Sequence, residues 1–186
     1  MLSPVKPQKG NLLISEPFML DPNFKRSVVM LTEFENDGAL GFILNQKSNF
    51  LLGDLLPDCS SQLPVFIGGP VANDTLHFIH TCYNKLNSGI EIMDGIYWGG
   101  NFEALQVLIN TGQLDSSEIK FFVGYSGWGV EQLDQELEQN SWLVASKFNS
   151  KVIFVEDEEN LWREVIIGLG PKYAHIANFP ENPQWN

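Results

Sequence analysis

Short apolar and β-branched runs crowd the first part of this chain, and helix-spaced apolar positions enter later. Residues 10–15, Gly-Asn-Leu-Leu-Ile-Ser, read as a first strand, and residues 16–23, which hold Pro17 and Pro22, must be a loop. Residues 27–34 are dense in Val, Met and Leu and predict a second strand. Glu35-Asn36-Asp37-Gly38 then supplies a turn whose Asp-Gly pair tolerates positive φ, and residues 39–45 return as the antiparallel partner. Residues 51–56 predict a short helix stopped by Pro57. Residues 65–67 form a strand running into Gly68-Gly69-Pro70, residues 75–81 another, and residues 90–98 a strand broken near Asp94-Gly95.

Helical spacing begins at residues 101–111, with Asn101 as N-cap, Leu105, Leu108 and Ile109 on one face, and Gly112 closing the end. Residues 119–123 are strand-like. Gly124-Tyr125-Ser126-Gly127-Trp128-Gly129 reads as a tight strand-to-helix reversal, because its glycines permit positive φ or close backbone approach. Residues 130–139 follow as a helix with Val130, Leu133 and Leu137 three and four apart. Residues 141–145 and 151–155 predict strands, and residues 158–167 a helix that turns Leu161, Trp162, Val165 and Ile166 inward. Strands that precede helices without regular βαβ alternation favour an α+β domain. The expected organisation is one domain over residues 10–170, an arm at 1–9, and a tail at 171–186 packed loosely through Phe179 or Trp185.

Length and composition fit this picture: 186 residues, 44% of them hydrophobic, are enough for one domain with a real core. Charge narrows the function. The 23 acidic side chains exceed the 11 basic ones, and Lys25-Arg26 is the sole adjacent basic pair. A formal charge of -12 repels phosphate backbones, which argues against direct nucleic-acid binding. Cys59 and Cys82 cannot build a disulfide framework, the N-terminal residues lack the apolar core of a signal peptide, and no apolar run suffices to cross a bilayer. A cytoplasmic protein without membrane contact is the expectation.

Several short motifs recur in one order. They are Gly10-Asn11-Leu12-Leu13-Ile14 with Pro17, Asp21-Pro22-Asn23-Phe24-Lys25-Arg26-Ser27-Val28-Val29, and Gly38-Ala39-Leu40-Gly41-Phe42-Ile43-Leu44-Asn45. Gly68-Gly69-Pro70-Val71 follows, and then Gly124-Tyr125-Ser126-Gly127-Trp128 with Gln132-Leu133, Glu136 and Trp142. Together the ordered set resembles the AlgH/YqgE-like family of bacterial proteins, from about residue 10 to about residue 170. The resemblance implies a complex α+β domain with a curved, mostly antiparallel, partly barrel-like sheet flanked by helices. It also implies a transcriptional-regulator label that rests on genetic effects rather than on a defined DNA-binding element. It carries no catalytic residues over. The chain departs from the family pattern at Phe34, where His often follows the Glu33 position, at Gln46-Lys47, where Arg-Pro is common, and at Ser126, where Ala is frequent.

At each motif candidate chemistry competes with plainer structure. Ser126 on a strand-turn-helix, followed by Asp157 and His175, has the chain order of a hydrolase triad, but Trp128 stands where the nucleophile elbow needs glycine. Gly127 and Gly129 before a helix could cradle a phosphate, yet no Walker-type lysine accompanies them. His77 and His80 fall on opposite strand faces, and His80 with Cys82 on one face supplies two ligands where zinc needs four, so no metal is expected. The run Glu156-Asp157-Glu158-Glu159 sits where it can cap a helix, with Asp157 as the cap. Arg26 either pairs with Glu33 or Asp21 as a structural bridge or awaits an anionic ligand, with the bridge favoured.

These readings converge on a non-catalytic regulatory or interaction protein with no catalytic residues, metal or cofactor, working through an unidentified protein or small-molecule partner. Its expected cleft lies near the Gly127-Trp128 turn, with Arg26, Asn45 and Gln132 as polar lining and Gly69 at a second glycine corner. The alternative is an enzyme or small-molecule sensor using the same cleft.

Overall fold

The computed structural model describes residues 5–57, 59, 61–155 and 158–180. Its strands are β1 (Leu12–Ser15), β2 (Val28–Glu35), β3 (Gly38–Ile43), β4 (Lys47–Leu51), β5 (Pro64–Ile67), β6 (Val71–His80), β7 (Ile90–Met93), β8 (Ile96–Trp98), β9 (Ile119–Trp128) and β10 (Trp142–Ala145). The helices are α1 (Leu52–Leu55), α2 (Tyr83–Leu86), α3 (Phe102–Asn110), α4 (Gln132–Glu138) and α5 (Glu158–Gly168). The strands form one curved, open sheet in the order β10-β1-β2-β3-β9-β6-β8-β7. β5 lies parallel to β9 and carries β4 on its far side, while the other pairings are antiparallel. β9 is the spine: its last residues pair with β3, its first with β5, and β6 runs along its opposite edge.

Consecutive apolar residues in the strands are explained by burial on both faces. In β1, Leu12 and Ile14 enter an inner core that α5 covers with Leu161, Trp162, Val165 and Ile166, while Leu13 enters an outer core with Trp128, Leu133 and Leu137. In β9, Phe122 joins the inner core and Phe121 a third core with Leu105 of α3 and Leu86 of α2. Side chains alternate across the sheet with period two, so a strand covered on both sides reads as a continuous apolar run.

The expected hairpin is present, with Phe34 opposite Ala39 and Glu35 opposite Gly38. The break at Asp94-Gly95 separates β7 from β8, and Asn101 caps α3 by accepting from the Ala104 N–H. Two expectations are corrected. Residues 124–128 do not reverse the chain; they remain strand, pinned by the pairing of Ser126, Gly127 and Trp128 with Gly41, Leu40 and Ala39. The reversal comes later, at Gly129 to Glu131, where Glu131 takes φ 61° and Val130 is left 63% exposed outside α4. Residues 150–154 form a 3₁₀ helix rather than a strand, because Asn149 accepts from the Lys151 N–H and caps its start. β4, with three polar residues in five, carries no strand signal in its sequence.

The C-terminal residues pack against the domain: residues 176–178 form a 3₁₀ turn that buries Ile176 and Ala177, and Phe179 stacks on Phe18 with centroids 5.6 Å apart. Asp157 as a cap and Trp185 as an anchor lie outside the described residues, as does the start of the arm.

Candidate functional site

The glycine motifs solve a packing problem where β5 ends against β9. A Cβ on Gly68 would lie 2.3 Å from the Gly124 carbonyl oxygen, and one on Gly69 2.3 Å from the Tyr125 carbonyl. One on Gly124 would meet Asn73 Oδ1 at 2.7 Å and the Gly69 and Val71 carbonyls at 2.8 Å. Backbones approach here at distances that no side chain permits. Ser126 is fully buried in the same crossing and donates its hydroxyl proton to the Gly68 carbonyl at 3.0 Å. No histidine is among its hydrogen-bond partners, so nothing at Ser126 matches an activated nucleophile.

Trp128 and Gln132 meet through a third residue. Glu136 accepts from Trp128 Nε1 at 2.9 Å and from Trp142 Nε1 at 2.7 Å on one oxygen, and from Gln132 Nε2 at 2.9 Å on the other. Gln132 Oε1 in turn accepts from the Gly129 N–H at 3.0 Å, closing the turn into α4. The Trp128 ring is 5% exposed and lies near Trp142 and Phe24. Gly127 beside it is exposed and pairs with Leu40. Clefts of about 260 and 350 Å³ flank this end of the sheet, rimmed by carboxylates of Glu33, Glu35, Asp37, Glu131 and Asp134.

Arg26 and Asn45 form a separate pair. Asn45 Nδ2 donates to the Arg26 carbonyl at 2.9 Å and its Oδ1 accepts from the Val28 N–H at 2.8 Å, holding the bend at Arg26, whose φ is 48°. The expected bridge to Glu33 or Asp21 is absent: among the described residues the guanidinium has no carboxylate partner. It lies 4.7 Å above the Trp162 ring and donates from Nη2 to the Phe179 carbonyl. A planar, weakly hydrated guanidinium suits stacking on an indole. Asp21 is instead spent locally, accepting from the N–H and side-chain amide of Asn23.

The candidate residues therefore occupy three places, with no hydrogen bond joining one place to another among the described residues: Gly127, Trp128 and Gln132 at the start of α4, Arg26 with Asn45 beneath Phe179, and Gly69 at the β5–β9 crossing. Gly69 also lines a groove of about 510 Å³ beside β4, with Phe50, Ile67, Gln46 and Asn73. Sequence pattern missed Phe50 because β4 carries no apolar alternation that marks it as a strand, and the groove that Phe50 and Ile67 line exists only once β4 pairs with β5.

His80 and Cys82 do share a face, with Cys82 Sγ 3.5 Å from His80 Nδ1 and His80 Nε2 3.0 Å from the Gly99 carbonyl. Burial pushes the thiol up and the imidazole down, so both are neutral near pH 7 and the thiol donates to Nδ1. Among the described residues, no group of three His, Cys, Asp or Glu is placed to hold a metal ion.

An open, two-sided sheet wrapped around α5, with its glycine motifs at one strand crossing, defines a single α+β domain of one type. The AlgH-like family profile matches residues 12–174, and the chain belongs to that family. It is 41% identical to a UPF0301 protein of Cytophaga hutchinsonii over 96% of this chain and 98% of that one. A UPF0301 protein of Chlorobium limicola is 40% identical over 97% of each. Among solved structures, the AlgH protein of Pseudomonas aeruginosa superposes with a TM-score of 0.72 at 26% identity, over 92% of this chain and 94% of that one. A protein of Corynebacterium diphtheriae shares the fold with a TM-score of 0.76 at 20% identity, over 94% of each chain.

Proposed function

We propose that this chain is a cytoplasmic, non-catalytic regulatory protein that acts by gripping an extended, apolar segment of a partner protein in the groove beside β4. The observation that carries this reading is the groove's character. In a chain of charge -12, Lys47 is the single charged residue lining it, and Phe50 and Ile67 stand 50% and 39% exposed along it. Val71, next to the lining residue Pro70, is 37% exposed. Among the described residues β4 pairs on one side alone, with β5, which leaves an edge that an incoming strand can extend. An apolar segment without like charge fits such a surface, whereas nucleic acid does not.

The alternative, an enzyme or sensor working at the Gly127-Trp128 end, would draw on Trp128 and Gln132 for its polar contacts. Trp128 Nε1 and the Gln132 amide are both committed to Glu136.

Selection of peptide ligands from a random display library on the folded protein tests the proposal. Phe50→Glu and Ile67→Glu should each weaken a selected peptide about tenfold or more, equivalent to at least about 1.4 kcal/mol. Val107→Glu, at a 61% exposed site on α3, should not. Peptides that bind both groove variants as well as the wild type, or a selection that returns none, would overturn the reading.

A further inference from the structure

A second cleft, of about 490 Å³, opens where β6 runs past the end of β8. The two strands pair at Ile79 with Trp98 and His80 with Tyr97, and the Gly99 N–H still reaches the Phe78 carbonyl. The chain then turns away through Gly99 and Gly100, at φ 66° and 140°, and leaves Leu76 and His77 without a strand on that side among the described residues. Trp98, Phe102 and Ile90 wall the cleft, and the last two are 41% and 54% exposed. A Cβ on Gly99 would meet nothing within 4 Å, so there is open room at that rim. No Lys, Arg, Asp or Glu lines the cleft, and it shares no lining residue with the groove beside β4.

His77 gives this cleft a polar side chain. Its ring sits 5.2 Å from Phe42, 6.2 Å from Trp98 and 6.0 Å from Tyr125, centroid to centroid. Its Nε2 lies 2.9 Å from Thr75 Oγ1, and that hydroxyl already donates its proton to the Ala72 carbonyl at 2.7 Å. A hydroxyl has one proton to give, so Thr75 must accept from His77, which fixes the ring proton on Nε2. Nδ1 is left as a bare acceptor with no partner among the described residues. Burial holds the imidazole pKa below its ordinary value, so the acceptor persists at neutral pH.

We propose that this cleft binds a small, uncharged, planar heteroaromatic molecule that lies against Trp98 and Phe102 and donates an N–H to Nδ1 of His77. The aromatic walls favour a flat ring, the Nδ1 acceptor asks for a donor, and the uncharged lining offers no counter-ion to an ionic ligand. The overall charge of -12 further disfavours an anion.

Indole and 1-methylindole form the test pair, because they differ in the N–H alone; indole-3-acetate adds a negative charge. In a nitrogen-15 NMR titration of the full chain, indole should give saturable shifts confined to residues 76–78, 89–90 and 98–102. 1-Methylindole should bind about tenfold more weakly or worse, since a site built around one hydrogen bond rejects the analogue that lacks it. Indole-3-acetate should also bind more weakly than indole. His77→Phe keeps a flat ring against Phe42 and should erase the preference for indole. Phe102→Ala, at an exposed wall, should weaken indole and 1-methylindole alike. In the wild type, the His77 Nδ1 resonance should move with indole and stay still with 1-methylindole, a readout that needs no variant to fold. Equal binding of the two probes, absence of localised shifts with indole, or a His77→Phe variant that retains the preference would overturn the proposal. None of these outcomes bears on the groove beside β4, which is tested by different variants.

Discussion

The carboxylate of Glu136 accepts from two indoles and an amide, and both indoles are nearly sealed from water. An indole N–H can only donate, so each needs an acceptor wherever it is buried. Glu136→Ala removes the shared acceptor and leaves Trp128 and Trp142 both unsatisfied. With a cost of about 1–3 kcal/mol for each orphaned donor, the expected loss is about 2–6 kcal/mol, read from the urea midpoint. Glu136→Gln keeps one acceptor oxygen and should cost less. Equal midpoints for wild type and Glu136→Ala would mean that water reaches the indoles and that the triad does not order this end of the fold. At the same scale, Arg26 illustrates a choice that charge counting misses: its guanidinium rests on Trp162 and a backbone carbonyl although Asp21 lies five residues before it.

At the level of elements, Gly124 and Gly112 form a natural experiment, since both hold φ at 66° but differ in surroundings. A Cβ on Gly112 meets nothing within 4 Å, whereas one on Gly124 meets three oxygens at 2.7–2.8 Å. Gly112→Ala should therefore cost only the left-handed strain, about 1–2 kcal/mol. Gly124→Ala should cost that and the displacement of β6 from β9, so its thermal midpoint should fall further; equal midpoints would refute the crossing as the reason for glycine. Local signals made most elements legible. The Asp37-Gly38 turn, the Asn101 cap and the spacing of Leu161, Trp162, Val165 and Ile166 each act within a few residues of themselves. The segment from Gly124 to Trp128 was misread because its glycines answer to Gly68, Gly69 and Asn73, which are distant in sequence. The scattered positions of Arg26, Gly69 and Gln132 were illegible for the same reason, as was the groove at Phe50 and Ile67, which exists only once β4 lies beside β5.

For the whole molecule, the response to acid sets two effects against each other. At a sequence pI near 4.5, lowering the pH towards 5.5 discharges an overcharged surface and relieves repulsion in the folded state. β6 opposes this, because it carries His77 against the inner core and His80 against the third, both with pKa values depressed by burial. The unfolded chain takes up these protons near the ordinary value of 6.5, and the folded chain only at lower pH. Between those points the unfolded state binds more protons, so stability rises with pH. The contribution is complete above about 6.5 and is lost as pH falls through the folded pKa values. His80 has more at stake than His77: it is fully buried, and protonating Nδ1 would replace the acceptor of the Cys82 thiol with a second donor. The general relief of repulsion is common to wild type and His80→Gln, which cannot titrate but can still donate to the Gly99 carbonyl. Between pH 7.5 and 5.5 the wild type should therefore lose more stability than His80→Gln in paired urea denaturations, and parallel pH profiles would show that the buried imidazole does not couple folding to acid.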